Sequence, residues 1–175
     1  PSILNLQVNG KTDASEGDDS HTEILLGAFP LLLHPDPKDI LVIGLGSGIT
    51  AGTVTCFPGV TWIDQIEIEQ AVVNGARLFA ADHHDILRDP ESKRVHLHVD
   101  DARFFCAVTE RRYDVVISEP SNPWMSGPSH LFTREHFRNL RRVMKDDGVT
   151  LQWFHTYSMT PALAFSVLKS FRDVF

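Results

Sequence analysis

The sequence predicts an α/β fold: a Rossmann-like, doubly wound, mostly parallel sheet. From Asp39 onward, short apolar runs alternate with longer segments that have helical spacing. The apolar runs are nearly continuous, as is typical of parallel strands that are covered by helices on both faces. A glycine-rich turn directly follows the first run, at residues 44–48. In such sheets, ligands bind beyond the carboxyl ends of the strands, so functional residues are expected there.

The predicted elements alternate strictly along this part of the chain. Thr160 followed by Pro161 marks the start of the last helix, because proline is favoured at the first helical position. Gly148 is predicted to end the helix before the fifth strand. The strands are predicted at residues 40–44, 61–68, 94–100, 113–118 and 149–154, and the helices at 47–57, 69–82, 101–110, 133–144 and 160–175.

The first part of the chain does not follow this alternation, and two domains are predicted: residues 1–37 and residues 38–175. Asn9-Gly10 lies between apolar flanks and predicts the turn of a short β-hairpin. The segment Ser20-His21-Thr22-Glu23 has the pattern of a capping box and predicts a helix that begins there.

Composition excludes several classes of protein. The chain has 175 residues and 42% hydrophobic residues, which fits one domain with a real core and a small appendage. Its formal charge of -7 argues against a nucleic-acid partner. No apolar run approaches the roughly 20 residues that span a bilayer, and no secretory leader is recognisable. Cys56 and Cys106 are far apart and predict reduced thiols, so the expected compartment is the cytoplasm. The apolar first residues and the helix that runs to Phe175 predict a piece of a longer chain, with a membrane-fused protein as one possibility.

Metal binding is not expected. The segment 82–85, which reads Asp-His-His-Asp, contains ligand types, but it lies between a helix and a strand and is interpreted as a polar turn. The two cysteines have no metal-ligand spacing.

The glycine turn is the first functional motif. Gly44, Gly46 and Gly48 form G-x-G-x-G, whereas a dinucleotide fingerprint needs its third glycine where Ile49 stands. This pattern is typical of sites for S-adenosylmethionine and its relatives, in folds of the methyltransferase type. Strand-to-helix turns also use glycine for positive φ alone, so the turn by itself is weak support.

Acidic residues follow at the ends of the next two strands. Glu67 ends the second strand, where a carboxylate can accept both hydroxyls of a ribose. Asp100-Asp101-Ala102 ends the third strand, where an acid can accept the amino group of an adenine. Either acid alone would be interpreted as a helix cap or a solvated charge. Together with the glycine turn they predict an adenosyl-sulfonium site.

A third carboxylate, Glu119, stands at the carboxyl end of the fourth strand and opens a loop rich in Pro, Ser, Asn and Gly. A carboxylate in this position can orient an amine and accept its proton. A structural role, with Glu119 hydrogen-bonded to amides of its own loop, is the alternative. Trp153, His155 and Tyr157 follow the fifth strand at the same edge and either line a pocket or pack the loop.

With these residues in view, the chain resembles the spermidine synthase family, the polyamine aminopropyltransferases. It is most similar to the divergent bacterial members of the spermidine synthase-like kind. The resemblance implies decarboxylated S-adenosylmethionine as the cofactor, an amine or polyamine as the acceptor, Glu119 as the base and a homodimer formed through the hairpins. It is carried by "LQVNGKTDAS", "HTEILLGAFPLLLHPDPKDILVIGLGSG", "IEIEQAVV", "VDDARFF" and "SEPSNPWMSGPSHLFTREHF".

The chain departs from the family pattern on the acceptor side. Glu119 replaces an aspartate, and Asn122 and Ser47 stand where the family has acids that contact the diamine. Ser47, Asn122 and Tyr157 are nevertheless the residues expected to contact the acceptor. Removing a dication from water is costly unless carboxylates replace its hydration, and Asp13, Asp18 or Asp19 are candidates to do so.

Two other functions stay open at this point. A methyltransferase on the same fold would use intact S-adenosylmethionine and a small-molecule acceptor. A binding module that senses an adenosyl compound or a polyamine would keep the cofactor motifs without catalysis. Asn122-Pro123-Trp124 superficially resembles the loop of nucleobase methyltransferases, but it lies several residues beyond the strand end, and the acidic charge disfavours that reaction.

Overall fold

The structure, a computed structural model, describes residues 4–8, 10–88, 94–124, 126–157 and 159–175. It confirms the predicted α/β class with a short N-terminal hairpin. The strands are β1 Asn5–Val8, β2 Lys11–Ser15, β3 Asp39–Ile43, β4 Trp62–Glu67, β5 Val95–Val99, β6 Tyr113–Ser118 and β7 Met144–Gln152. The helices are α1 Asp18–Leu33, α2 Ile49–Thr55, α3 Gln70–Ala76, α4 Ala102–Val108, α5 Arg134–Val143 and α6 Pro161–Arg172.

The main sheet has five parallel strands in the order β5-β4-β3-β6-β7. The chain leaves β3 in one direction, through β4 to β5, and later returns to the other side of β3, through β6 to β7. The strand order therefore reverses beside β3, and its carboxyl end is the switch point at which such sheets bind ligands.

The core lies on both faces of the sheet, because successive residues of β3 point to opposite sides. Ile40 and Val42 pack in one cluster with Leu31 of α1 and Val54 of α2. Leu41 and Ile43 pack in the other cluster, whose helical members come from α4 and α5. All four β3 residues are almost completely buried, which explains why the run reads as continuously apolar.

The hairpin forms as predicted, but the helix after it does not start at the predicted residue. β1 and β2 pair antiparallel, and Gly10 has φ +79°, while Asn9 lies outside the described residues. The capping box at Ser20 is wrong: α1 begins at Asp18, and the Ser20 hydroxyl donates to the carbonyl of Gly17 at 2.7 Å. Glu23 cannot complete the box, because its side chain accepts a hydrogen bond from Ser47.

The edge strand β7 begins earlier than predicted. α5 ends at Val143, so Gly148 lies inside β7 and does not end a helix. The pairing with β6 shifts register between Tyr113 and Val115, and this irregularity accommodates the extra polar residues. Lys145 holds the bulged segment by donating to Asp39 at 2.8 Å and to Asp114 at 2.9 Å, which sequence periodicity could not show.

Among the residues that the structure describes, no helix combines the length and apolarity needed to cross a bilayer. The first helix packs against α2 and against the sheet at β6 and β7. The division into two domains at residue 37 stays a prediction.

Candidate active site

A cavity of about 450 Å³ opens at the carboxyl edge of the sheet, beside the switch point. The glycine turn, the ends of β4, β5 and β6 and the residues after β7 form its walls, and one side of α1 closes it. The size suits a nucleoside with a short side chain. Most of the predicted cofactor residues therefore meet in a single space.

The glycine turn is shaped by close backbone contacts. Gly44, Gly46 and Gly48 all have positive φ, at +92°, +53° and +89°. A Cβ on Gly44 would lie 2.6 Å from the carbonyl oxygen of Glu119, so this turn and the loop after β6 can approach only because a side chain is missing. Gly44 and Gly46 line the cavity, whereas Gly48 packs against the ring of His83.

Glu67 is the acid at the end of β4, and its carboxylate is bonded on both oxygens. Oε2 accepts the backbone N–H of Leu45 at 3.0 Å, and Oε1 accepts that of Glu69 at 2.9 Å. Burial raises the pKa of the Glu67 carboxyl, and the backbone donors oppose that shift. The carboxyl group lines the cavity, at the position where a ribose is predicted.

Asp100, Asp101 and Ala102 line the cavity on the β5 side. Asp101 also caps α4, since its Oδ1 accepts the backbone N–H of Arg103 at 2.8 Å. Arg103 donates a further bond at 2.7 Å to Oδ2 of Asp101. This arginine lowers the pKa of the Asp101 carboxyl, so the group stays ionised while it faces the cavity. Asp101 therefore caps a helix and also lines the cavity, and its contact with an adenine stays a prediction.

Glu119 lies where β6 ends, and its backbone N–H donates to the carbonyl of Ile43 at 2.9 Å. Its carboxyl group lines the cavity, and its Oε2 is 2.7 Å from the hydroxyl of Thr50. Burial raises the pKa of Glu119 well above its ordinary value, and the nearby charges of Glu23 and Glu67 raise it further. A carboxyl with a raised pKa has the properties of a general base that works near neutral pH.

Helix α1 contributes acidic residues to the same cavity. One of them, Glu23, was not predicted from the sequence as a residue of the site. Asp19, Thr22, Glu23 and Leu26 share one face and all line the cavity. Their spacing of i, i+3, i+4 and i+7 is the pattern that could have revealed this face, had Glu23 not been assigned to a helix cap. Burial raises the pKa of Glu23 to about 7, and the charge of Asp19 adds to that shift.

The residues expected to contact the acceptor have a different placement. Ser47 and Asn122 are completely buried, and neither side chain lines the cavity. Ser47 donates to Glu23 at 2.8 Å, and the hydroxyl of Tyr157 donates to Asn122 at 3.5 Å. Tyr157 is half exposed and packs edge-on against Trp124, outside the cavity wall.

The cavity is strongly acidic. Trp153 and His155, which follow β7, line the cavity. Of the two alternatives offered by the sequence, these residues therefore line a pocket and do not only pack the loop. Arg103 is the one lysine or arginine among the described lining residues, and it is paired with Asp101. Eight acidic residues line the cavity: Asp13, Asp19, Glu23, Glu67, Glu69, Asp100, Asp101 and Glu119.

Side chains that could ligate a metal meet elsewhere. His34, Asp114 and Asp147 form the one such group among the described residues, at the opposite edge of the sheet from the cavity. The ammonium of Lys145 lies 2.9 Å from Asp114, so a cation already satisfies this group. In the segment 82–85, His83 is fully buried and its Nε2 lies 3.0 Å from the carbonyl of Ala76, as fits a structural turn.

Comparison with known proteins agrees with this geometry. The chain matches the spermine/spermidine synthase domain over residues 20–175. This chain belongs to the spermine/spermidine synthase family. The resemblance in its motifs is thereby confirmed.

Individual family members are similar over most of this chain. The polyamine aminopropyltransferase of Streptococcus pneumoniae is 32% identical over 146 residues, which cover 83% of this chain and 50% of the relative. That of Bacillus subtilis is 28% identical over 171 residues, covering 97% of this chain and 60% of the relative. The chain thus spans about half the length of the curated relatives that it matches.

Solved structures show the same fold. A crystal structure of spermidine synthase in complex with the transition-state analogue AdoDATO superposes with a TM-score of 0.86 at 24% identity, covering 95% of this chain and 56% of that one. Human methyltransferase-like protein 13 in complex with SAH gives a TM-score of 0.65 at 21% identity, covering 89% and 71%. The predicted methyltransferase-type sheet is therefore confirmed.

Proposed function

We propose that this protein transfers an aminopropyl group from decarboxylated S-adenosylmethionine to an amine acceptor, as a step in polyamine biosynthesis. Family membership supports this reaction, since the relatives are named polyamine aminopropyltransferases. The fold alone would equally allow methyl transfer, so the choice rests on the site.

The observation that carries the proposal is the charge of the cavity. Eight acidic residues line it against one arginine, and that arginine is engaged by Asp101. Intact S-adenosylmethionine carries a carboxylate on its side chain, which would be repelled in this space. The decarboxylated compound carries only positive groups, a sulfonium and an ammonium, and an amine acceptor adds another. An acidic cavity therefore favours the decarboxylated donor over the intact one.

Within this proposal, the residues of the cofactor end hold the nucleoside. Gly44 and Gly46 carry no side chain, which lets the nucleoside approach the backbone of the turn closely. Glu67 accepts hydrogen bonds from the ribose hydroxyls, and the segment Asp100-Asp101-Ala102 contacts the adenine. Glu67 is suited to the ribose because the N–H groups of Leu45 and Glu69 already fix the direction of its carboxylate. A nucleoside held in this way would present its reactive carbon to Glu119, which lines the same cavity.

The chemistry at Glu119 follows from the positive sulfur. The sulfonium supplies a leaving group, and the bond from the adjacent carbon to sulfur breaks with its electron pair left on sulfur. The nitrogen lone pair of the acceptor forms the new bond to that carbon. The surplus proton of the nitrogen passes to the carboxylate of Glu119, which the raised pKa makes an effective acceptor.

The acceptor side of the proposal keeps Ser47, Asn122 and Tyr157 as positioning candidates. Ser47 would act through Glu23, which it holds by a hydrogen bond, and Asn122 and Tyr157 would act through their contact with each other in the loops beside Trp124. Four further expectations from the sequence stay predictions. They are a small-molecule partner, no nucleic-acid partner, a homodimer formed through the hairpins and a cytoplasmic location. Light scattering of the purified protein tests the dimer.

Calorimetric titration with three nucleosides tests the proposed function. They are decarboxylated S-adenosylmethionine, intact S-adenosylmethionine and methylthioadenosine, the nucleoside product of the transfer. The proposal expects the decarboxylated donor and methylthioadenosine to bind at least tenfold more tightly than the intact compound. Preference for intact S-adenosylmethionine would favour the methyltransferase, and binding without product formation would favour the sensing module.

A further inference from the structure

Thr50 is the residue of helix α2 that contacts the proposed base. Its hydroxyl oxygen lies 2.7 Å from Oε2 of Glu119, although the two residues are 69 positions apart in the chain. Among the described residues, this is the only hydrogen bond of the Glu119 carboxyl group. Thr50 is buried, so water does not compete for the contact. The orientation of the carboxyl group therefore depends on one hydroxyl.

The backbone of Glu119 is fixed separately from its side chain. Its N–H donates to the carbonyl of Ile43 at 2.9 Å, and its own carbonyl packs against the turn at Gly44. These contacts hold the main chain at the end of β3, but they leave the torsions of a long side chain open. The hydrogen bond to Thr50 is the contact that fixes the far end of that side chain.

Thr50 is itself held between two elements. Its hydroxyl oxygen also lies 3.1 Å from the backbone carbonyl of Glu23 in α1. A Cβ on Gly27, one turn further along α1, would lie 2.6 Å from the backbone carbonyl oxygen of Thr50, so α1 and α2 are in close contact here. A threonine inside a helix often turns its hydroxyl to a carbonyl of its own helix. The partners of Thr50 come instead from α1 and from the end of β6.

These two partners allow the hydroxyl to serve both protonation states of the base. A hydroxyl has one hydrogen to donate and can also accept. While Glu119 is a carboxylate, the hydroxyl donates to its Oε2. When Oε2 carries a proton, that proton is donated to the hydroxyl oxygen, and the hydroxyl hydrogen turns to the carbonyl of Glu23. The hydrogen bond between Thr50 and Glu119 then persists with its direction reversed.

We propose that Thr50 is a positioning residue for the base: its hydroxyl holds the carboxyl group of Glu119 in one orientation before and after proton transfer, with the carbonyl of Glu23 as its second acceptor. This inference rests on the proposed function, because it concerns the proton that leaves the acceptor nitrogen. That proton passes to the carboxylate of Glu119 as the new carbon–nitrogen bond forms and the carbon–sulfur electron pair leaves with sulfur. Thr50 keeps its own proton and changes only the direction of its hydrogen bonds.

Thr50→Val tests the catalytic consequence, because it keeps the shape of the side chain and removes the hydroxyl. We expect kcat for aminopropyl transfer to fall about tenfold or more, since the carboxyl group then spends less time in the productive orientation. The Kd for methylthioadenosine should change less than about threefold, since Thr50 is not among the residues that line the cavity. Turnover is calculated per site that binds methylthioadenosine, so that misfolded protein is not counted.

Two matched variants separate the hydroxyl from packing. Thr50→Ser keeps the hydroxyl and should retain about half of kcat or more. Thr55→Val removes a hydroxyl from the same helix that donates to the carbonyl of Gly52 at 2.6 Å, and it should leave kcat unchanged. Thr50→Ala, which also lacks the hydroxyl, should reproduce the loss seen in Thr50→Val and replaces that variant if it does not fold.

The hydrogen bond is tested without any ligand by following the carboxyl carbons of ¹³C-labelled glutamate by NMR as the pH is varied. Thr50→Val should move the titration midpoint of Glu119 upward by about half a pH unit or more, because a donor to the ionised form lowers the pKa of a carboxyl. Thr50→Ser and Thr55→Val should leave the midpoint unchanged. The resonance that disappears in Glu119→Gln gives the assignment.

Other titratable groups act on Glu119, but they are the same in all of the threonine variants. The charges of Glu23 and Glu67 raise its pKa. The remaining charged or titratable residues that line the cavity are Asp13, Asp19, Glu69, Asp100, Asp101, Arg103 and His155. A change of midpoint in Thr50→Val that is absent from Thr50→Ser therefore reports the hydroxyl and not the charge of the cavity.

An unchanged midpoint or an unchanged kcat in Thr50→Val would overturn the proposal. A loss of kcat that Thr50→Ser shares would overturn it as well, because the hydroxyl would then not be the cause. In both cases, continued transfer by the unaltered protein leaves the proposed function intact. A shifted midpoint in a protein that forms no transfer product would refute the proposed function, and with it the role of Thr50 in transfer, and would leave only the hydrogen bond established.

Discussion

Glu67 and Leu45 are joined by a hydrogen bond of 3.0 Å from the backbone N–H of Leu45 to the carboxylate. The acid at the end of β4 and the turn after β3 are therefore fixed relative to each other before any ligand arrives. A bond of this kind, to a charged and buried acceptor, is among the stronger hydrogen bonds in proteins. It preorganises the two groups that are proposed to hold the nucleoside.

Glu67→Ala should therefore weaken nucleoside binding. We expect the Kd for methylthioadenosine to rise at least tenfold, corresponding to about 1.4 kcal/mol or more, because the ribose acceptor and the anchor of the glycine loop are lost together. Calorimetry gives the Kd, and Glu135→Ala serves as a control for removing an exposed acid. Equal affinity in Glu67→Ala and the unaltered protein would contradict the ribose assignment.

Glu119→Gln tests the base. The amide keeps the shape of the side chain but cannot accept the proton, so kcat should fall by about 100-fold or more. The Kd for methylthioadenosine should change less than about threefold, since Glu119 is not assigned to the nucleoside. Steady-state kinetics and calorimetry on the same preparation separate the two effects. Retained turnover would remove Glu119 from the mechanism.

Protein stability should depend on pH through Glu23. Its pKa rises from 4.5 to about 7 on folding, so between those values the folded state binds more protons than the unfolded state. The contribution of Glu23 to the free energy of unfolding should therefore be complete below pH 4.5 and be lost as the pH rises to 7, by roughly 2–3 kcal/mol. Urea unfolding at pH 5, 6, 7 and 8 measures this change.

Glu23→Gln isolates this contribution: the difference in unfolding free energy between the unaltered protein and the variant should shrink from pH 5 to pH 8, because the shifted pKa values of Glu67, Glu119 and His136 are present in both proteins. Asp101 and Asp173 have lowered pKa values, so their contribution is lost only below about pH 4 and does not enter this window. A difference between the two proteins that stays constant or grows from pH 5 to pH 8 would show that the carboxyl of Glu23 is not buried in its neutral form.

Gly44→Ala tests the close approach of the glycine turn to the catalytic loop. The new Cβ would meet the carbonyl oxygen of Glu119 at 2.6 Å, in addition to the strain of φ +92°. Gly127→Ala is the matched control, since φ is +96° there and no residue that the structure describes lies within 4 Å of the added atom. We expect Gly127→Ala to cost about 1 kcal/mol of unfolding free energy and Gly44→Ala about 2 kcal/mol more. Equal costs would mean that the loop moves aside freely.

The sequence was sufficient for the sheet and for bringing the glycine turn, Glu67 and Asp101 to the cavity. Strands such as β3 are buried on both faces, so their apolar run is continuous and their order along the chain is unambiguous. The glycine turn, Glu67 and Asp101 each lie directly at a strand end, and parallel strand ends converge at one edge. The position of these residues along the sequence, at a strand end, is enough to locate them in the folded structure. Their place at the cavity could therefore be predicted.

The contribution of α1 to the cavity could not be predicted in the same way. Glu23 reaches the cavity from a helix that lies outside the strand–helix alternation, and its partner Ser47 is 24 residues away. The capping-box pattern at Ser20 offered a local explanation for Glu23, but tertiary contacts overrode it. The early start of β7 has the same cause, because the anchoring of Lys145 by Asp39 and Asp114 depends on residues far away in the chain.

The most direct test of the account is a transfer assay read by mass spectrometry. The purified protein is incubated with decarboxylated S-adenosylmethionine and a set of aliphatic diamines and polyamines, with intact S-adenosylmethionine in parallel. The account predicts that one or more amines gain an aminopropyl group, that methylthioadenosine forms in equal amount, and that Glu119→Gln forms neither. Methylated acceptor and S-adenosylhomocysteine from the intact compound, with no aminopropyl product from the decarboxylated one, would contradict it.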